Sequence, residues 1–545
     1  MKTNVLYYGD NLDVLRRHIP DASVDLIYLD PPFNSSRSYN VLFRESTGAA
    51  SEAQLEAFED TWQWAPKTAQ IYEEIVTGPH QQVARMLKAM VEGLGHNDVT
   101  AYLTMMAVRL VELHRVLKDN GSIYLHCDPT AGPYLRVLMD SVFEPRNFVN
   151  EIVWKRSSAH SDVVQGAKHF GRIHDTILFY SKGDERTWKT IYTPYEPEYV
   201  DNIYRYVDAG GRRYQTQPLH AAKPGGDTLY EWKGKKPPAG RYWAFSKENM
   251  ERLEREGRIV YSKTGVPRYK IYLDESSGAS AQDLWFDLLP VHNRPKERLG
   301  YATQKPLALL ERIIAASSNP SDVVLDPFCG CGTAVHAAHK LDRRWIGIDV
   351  THLAIGLVRR RMQDAFPSIA IEVIGEPVDL AGAQELAKRD KYQFQWWALD
   401  RLGAQPVAGK KKGADKGIDG VIPFFAGSKE DYKRVIVSVK GGEKVNVGMV
   451  RDLVGVLDRE KEPVGVLLTL EPPTQPMITE AAAAGIYHND FWKKNYPRVQ
   501  ILTIEEILAG KRPQTPQAKS PGAQKSPFAK APTEQEQAEQ GELMS

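Results

Sequence analysis

The chain has 545 residues, enough for about three or four domain-sized units. Lys+Arg 70 against Asp+Glu 69 leaves a formal net charge of +1, with 42% hydrophobic and 26% charged residues; a wholly disordered or fibrous chain is excluded, and nucleic-acid binding would need a local basic patch. Three cysteines, Cys127, Cys329 and Cys331, are too few for a disulfide framework, nothing at the N-terminus reads as a secretory leader, and no apolar run approaches the roughly 18 residues of a membrane span, so a reducing, cytosolic setting is expected.

In chain order, residues 1–182 alternate apolar runs, VDLIYLD (24–30), GSIYLHCD (121–128) and DTILFYSK (175–182), with a helical pattern, YLTMMAVRLVELHRVL (102–117). Continuous Val/Ile/Leu strands between amphipathic helices predict an α/β fold, a doubly wound parallel sheet covered on both faces. Residues 183–296 turn polar, aromatic and basic, with Pro/Gly clusters such as HAAKPGGD and KGKKPPAGRYW, and read as an inserted module. The α/β pattern resumes over 297–375, with a helix over 305–317 and the strands VVLDPF (323–328) and RWIGIDV (344–350). A smaller α/β domain is expected over 381–510, followed by a disordered tail over 511–545, rich in Pro, Lys, Gln and Ser without apolar periodicity.

Two loops carry chemistry. Asp30-Pro31-Pro32-Phe33 follows a buried strand directly. The two prolines fix the turn and remove backbone donors, leaving carbonyls and the Asp30 carboxylate as acceptors beside an aromatic face. That is a receptor for a planar group bearing NH2, although a D-P-P alone also suits a plain rigid turn. An adenine amine is a poor nucleophile because its lone pair is delocalised; accepting its N–H groups through Asp30 and the Pro31 carbonyl would favour attack on a methylsulfonium, by positioning and electrostatics alone.

VVLDPFCGCGT ends a buried strand at Asp326 and turns through Gly330 and Gly332 onto a helix, in the crevice where doubly wound sheets bind ligands. Taken alone, the G-x-G is equally a tight turn. It lacks the third glycine of a dinucleotide fingerprint, so a nucleoside cofactor without pyrophosphate fits better than NAD, with Asp349 placed to reach ribose hydroxyls. Cys329 and Cys331 form a lone C-x-C without a second pair and read as ordinary loop residues rather than a metal site.

DPPF near the N-terminus, a variable module, then TQKP (303–306) and DPFCGCGT together resemble the β-class of amino-group DNA methyltransferases, over about residues 1–374. The resemblance implies the S-adenosylmethionine (AdoMet)-dependent, Rossmann-like methyltransferase fold in permuted order, and methylation of adenine N6 in duplex DNA with the base flipped out. It implies a catalytic role for Asp30, Pro31, Pro32 and Phe33, and a cofactor role for Asp326, Phe328, Gly330, Gly332 and Asp349, with Thr303 and Lys305 near the methionine end. Asp10 in YYGDNLDVL matches the family opening near the cofactor, and reads equally as a helix N-cap. Adenine is favoured over cytosine N4 because cytosine members more often carry Ser where Asp30 stands. Cytosine C5 chemistry needs a thiolate in a Pro-Cys pair, which this sequence lacks.

In the inserted module Lys233, Lys235, Lys236 and Arg241 stand among aromatics such as Tyr204, Tyr214 and Trp243, a pattern suited to phosphate contact and base stacking or, equally, to a small aromatic core. The C-terminal stretch resembles the Mrr-type branch of the PD-(D/E)xK nuclease fold. That resemblance implies that Asp419 and Lys440 would serve an Mg2+ site; Ser438, a neutral hydroxyl, stands where a metal-binding residue is expected. The domain would then be slow, use another ligand such as Asp400 or Asp415, or act as an inactive DNA clamp. Double-stranded DNA is the expected partner, with a homodimer and a restriction subunit left open.

Overall fold

The computed structural model describes residues 1–32, 64–157, 168–223, 225–291, 297, 304–407, 417–427, 432–442 and 444–516. Nine strands form the principal sheet: β1 (Val5–Tyr8), β2 (Val24–Leu29), β3 (Leu117–Cys127), β4 (Phe148–Lys155), β5 (His174–Ser181), β6 (Leu284–Trp285), β7 (Val323–Asp326), β8 (Arg344–Asp349) and β9 (Glu372–Ile374). Their spatial order is β6-β4-β5-β3-β2-β7-β8-β1-β9. All neighbours pair in parallel except β5, which runs antiparallel to both β3 and β4. The expected doubly wound parallel sheet is present and departs from parallel pairing only at DTILFYSK among the described strands, because β4 and β5 are consecutive neighbours and an antiparallel partner needs no crossover.

Alternate side chains feed two cores, as expected for a sheet buried on both faces. Val5, Tyr7, Ile27, Leu29, Leu325 and Ile348 point into one, and Leu6, Leu26, Tyr28, Val324 and Trp345 into the other. The helices covering them include α1 (Asn11–His18), α2 (Asp98–Val116), α3 (Leu307–Ser317), α4 (Thr333–Lys340) and α5 (His352–Ala365).

The C-terminal residues, which carry a sheet of their own, pack directly on α5 within the same compact unit as the principal sheet. Their sheet is ordered β10 (Gln405–Pro406), β11 (Gly420–Phe425), β12 (Tyr432–Lys440), β13 (Val464–Thr469) and β14 (Val499–Thr503), and their helix α6 (Lys391–Leu402) lies against α5. Gln393 Oε1 accepts from the His352 amide at 2.9 Å, and Arg359 bonds to both Asp400 and Glu376. Glu376 Oε2 also accepts from Arg401 at 2.7 Å, and the His352 ring stacks on Tyr8 with centroids 3.6 Å apart. Burial pushes the Glu376 carboxyl up, but His352 and the charges of Arg359 and Arg401 outweigh it and hold the carboxyl down at about 2.

Within the expected module lies a separate compact unit, Thr190–Gln282. A four-stranded antiparallel sheet, spatially Ile259–Tyr261, Pro267–Tyr272, Arg213–Pro218 and Tyr206–Val207, carries it, and Leu219, Trp232, Trp243, Met250 and Leu253 form its core. Among the described residues no helix is long and apolar enough to cross a membrane.

Candidate active site

Strands β2, β7, β8 and β1 are consecutive neighbours and parallel, so their carboxyl ends share one edge of the sheet. Asp30 follows β2, Asp326 ends β7, Asp349 ends β8 and Asp10 lies two residues past β1. Residues some 300 positions apart in sequence thereby sit side by side, with Leu325 of β7 in register with Ile27 of β2. Pro31 is buried and Pro32 half-buried; Phe33 and Thr303 lie outside the described residues.

The loop after β7 is held by backbone geometry. Gly330 and Gly332 take φ values of 48° and 74°, and a Cβ on Gly332 would come within 2.8 Å of Val358. Asp326 Oδ1 accepts from the Phe328 amide at 3.1 Å, and the Cys329 amide donates to the Ile348 carbonyl at 3.0 Å. Asp349 accepts from the Gly330 amide at 3.0 Å through Oδ2, and from the Thr351 amide and hydroxyl at 2.9 Å through Oδ1. Burial raises the Asp349 carboxyl to about 6 against those donors, and burial together with Asp30 and Asp349 raises Asp326 well above the usual carboxylate range.

Asp10 is the N-cap of α1, accepting from the Leu12 amide at 2.9 Å, and its Oδ1 also accepts from Arg109 at 2.8 Å. The capping role is thus present. Its Oδ2 is not used in either bond, and the side chain is 35% exposed, enough for a ligand to reach it. The buried Arg109 further donates to Asn11 Oδ1 at 2.6 Å, and Asn11 Nδ2 donates to the Pro327 carbonyl at 2.8 Å, tying α2, α1 and the glycine loop together. The sequence reading missed Arg109 and Asn11; the signal was a lone arginine inside the apolar run TMMAVRL, where a charge survives only with partners. It also missed His126, fully buried between the Tyr28 hydroxyl at 2.9 Å and Asp175 Oδ2 at 3.1 Å. Lys305, just before α3, places its Nζ 2.5 Å from Asp30 Oδ2.

Residues 24–357, which are 334 of the 545 (357 − 24 + 1), match the family model described as DNA methylase. The chain belongs to that DNA methylase family. This DNA methylase is 36% identical over 264 residues to the Type II methyltransferase M.EcaI of Enterobacter cloacae, covering 48% of this chain and 57% of the relative. It is 26% identical over 355 residues to the Type III restriction-modification enzyme StyLTI Mod subunit of Salmonella typhimurium, covering 62% and 50%. The chain thus spans about half the length of these two curated relatives. With the DNA adenine methyltransferase YhdJ of Escherichia coli it shares 27% identity over 368 residues, covering 67% and 84%. Residues 391–509 of the methylase match the model described as NACHT-associated inactive Restriction Endonuclease 1.

In this C-terminal domain the methylase spends Asp419 on internal bonds. Its Oδ1 accepts from Gln395 at 3.0 Å, and its Oδ2 from the Val439 amide at 2.6 Å and the Ser438 hydroxyl at 3.2 Å. Ser438 is buried and Lys440 half-buried at the end of β12. Asp400, the alternative ligand, is taken by Arg359, and Asp415 lies outside the described residues. No cluster of three metal-ligating side chains occurs among the described residues.

In the unit Thr190–Gln282, Lys233 and Gly234 take left-handed φ values of 47° and 75° in a tight turn closed by the Trp232–Lys235 pair. Lys233 is ion-paired with Glu254, whereas Lys235, Lys236 and Arg241 are exposed. Part of the aromatic set serves the unit's own packing, with Tyr204, Tyr214, Trp232, Trp243 and Tyr272 buried, whereas Tyr192, Tyr199, Tyr206 and Tyr261 are exposed.

Proposed function

We propose that this chain transfers a methyl group from AdoMet to an exocyclic amine of duplex DNA, adenine N6, with the base flipped into the crevice. The observation that carries the reading is the placement of Asp30-Pro31-Pro32 beside Asp326, Gly330, Gly332 and Asp349 on adjacent parallel strands. Acidic side chains (Asp10, Asp30, Asp326 and Asp349) outnumber the cations Arg109 and Lys305, each of which is paired with one of them, so the crevice is rich in acceptors and suits a cation with O–H and N–H donors better than a pyrophosphate. AdoMet has that chemistry and, when bound, supplies the electrophilic methyl. Asp349 would hold the ribose hydroxyls and Asp10 Oδ2 would accept a further donor, while the Asp30 carboxylate and Pro31 carbonyl receive the target amine. Asp30 in place of Ser, and the name of the YhdJ relative, support adenine over cytosine. Pairing with a restriction subunit, as the name of the StyLTI Mod relative suggests, belongs to the same reading.

The test is transfer of labelled methyl from AdoMet to duplex DNA, RNA and protein, followed by nucleoside analysis. N6-methyladenine is expected; N4-methylcytosine would refute the base assignment, and label in protein or RNA alone the DNA assignment. With Asp419 satisfied internally, the C-terminal domain reads as a DNA clamp with Lys440 contacting phosphate, so plasmid incubated with Mg2+ should stay uncut.

Asp349→Ala should weaken AdoMet binding by about 1–3 kcal/mol, the cost of removing charge-assisted hydrogen bonds. Because Asp349 ionises near pH 6 and its carboxylate is the better acceptor, wild-type affinity should rise as pH passes upward through about 6, a step absent from the variant. Calorimetric titration across pH 5 to 8 checks both. Replacing Lys235, Lys236 and Arg241 together by Ala should weaken DNA binding and reduce the slope of log affinity against log salt by about one for each phosphate no longer neutralised, while Lys233→Ala, already paired with Glu254, should change it less. Equal slopes in the triple variant and wild type would remove these residues from the DNA interface.

A further inference from the structure

Lys305 belongs to TQKP and was expected beside the cofactor, yet its ammonium sits 2.5 Å from Asp30 Oδ2, the two side chains only 12% and 17% exposed. The same residue is tied to the glycine loop from the other side: the Thr333 hydroxyl, at the first position of α4, donates to the Lys305 carbonyl at 3.3 Å. Thr333 is fixed in turn by Arg361 Nη1 of α5 at 2.9 Å, a side chain that also reaches the Cys331 carbonyl at 3.3 Å. One residue therefore joins the acceptor carboxylate at the end of β2 to the loop between β7 and α4.

The electrostatic setting gives that ammonium a task. Asp30, Asp326 and Asp349 crowd the ends of adjacent strands, and Lys305 is the cation that works against the buried Asp326 carboxyl while Asp30 and Asp349 work the other way. Asp175, bonded to His126, also feels Lys305. A largely buried carboxylate at the end of a strand next to the one that ends in Asp326 needs a partner to hold its orientation. Lys305 engages Oδ2, which leaves Oδ1 as the acceptor for a target amine.

We propose that Lys305 is a positioning residue for methyl transfer: its ammonium fixes the Asp30 carboxylate in the orientation that accepts the target amine, and its backbone links that orientation to the cofactor loop. The inference rests on the methyl-transfer reading above. Lys305 then contributes to turnover through Asp30 and adds little to cofactor affinity. A cofactor ligand would behave in the opposite way.

The test compares Lys305→Met and Lys305→Arg with wild type for methyl transfer to duplex DNA and for AdoMet affinity by calorimetry. Lys305→Met should lower kcat on the order of 100-fold, as removal of one preorganised electrostatic partner does, with the AdoMet Kd unchanged within about three-fold. Lys305→Arg, which keeps a donor cation, should recover on the order of 10-fold. A Kd that rises in proportion to the fall in kcat, or a Met variant with wild-type kcat, would overturn the proposal. Absence of methyl transfer in wild type would instead refute the reading on which it rests. The contact is then judged without activity, by zero-length carbodiimide coupling of the wild-type protein and peptide mapping. The reagent activates a carboxylate and the lysine amine displaces urea to leave an amide; an Asp30–Lys305 cross-link is expected, and its absence would overturn the proposal whatever the activity.

Discussion

Asp30→Ala is expected to lower methyl transfer on the order of 1,000-fold or more while AdoMet still binds, because in the proposed reading Asp30 would present its acceptor to the target amine, and the residues proposed for AdoMet sit on the neighbouring strands. The structure sharpens what else must change. Lys305 loses its carboxylate partner in a nearly closed position, and Asp326, already pushed toward its neutral form by burial and by Asp30, loses a neighbouring negative charge. Both changes draw Lys305 toward Asp326, which offsets part of the lost pairing. Asp30→Asn keeps an acceptor oxygen without the charge and should fall between the two. Turnover and calorimetric titration on the same preparations check the separation, and substantial residual turnover in Asp30→Ala would sink the catalytic assignment.

The largest stability effect is expected at Glu376, whose side chain is 2% exposed and receives Arg359 and Arg401. Its carboxyl is held at about 2 in the folded chain against an ordinary value of 4.5. A depressed carboxyl contributes stability that is present above its unfolded value and is lost as pH falls through its folded value. Glu376→Gln should therefore cost about 3 kcal/mol at neutral pH. The penalty should shrink between pH 4.5 and about 2 and vanish below. Denaturant melts of both proteins across that range, followed by tryptophan emission, to which Trp396 and Trp397 of α6 contribute, give the comparison. A penalty that stays constant with pH would show that packing, not charge, sets the cost.

How far the sequence could be read differs by the range of the interaction. The strands carrying Asp30, Asp326 and Asp349 were legible because each is a short apolar run that stops at an acidic or glycine-rich turn, a local pattern. Their adjacency followed only through the family resemblance, since nothing local tells β2 that β7 is its neighbour. The antiparallel β5 was invisible because a strand buried on both faces reads the same in either direction. Side-chain pairings across hundreds of residues, Lys305 with Asp30 and Asn11 with Pro327, leave no periodic trace at all. The same holds for Lys233, which looks like a free phosphate ligand until Glu254, about 20 positions away, is placed against it. Asp419 is the converse case: its acidic character was legible, but the three donors that consume it were not.

The neighbour relation of β2 and β7 also sets a schedule for synthesis. At roughly 5–20 residues per second, about 15–60 s separate the emergence of these two strands. Once β3 has followed, β2 has that partner but an open opposite edge for the rest of the interval, and β1 has neither β8 nor β9. Unpaired edges of this apolar composition invite pairing with other chains. The sheet and core of the unit Thr190–Gln282 are complete in sequence before β7 appears. Chains that terminate between Gln282 and Val323 are then the aggregation-prone products of interrupted translation, with a complete insert carried on an unfinished sheet.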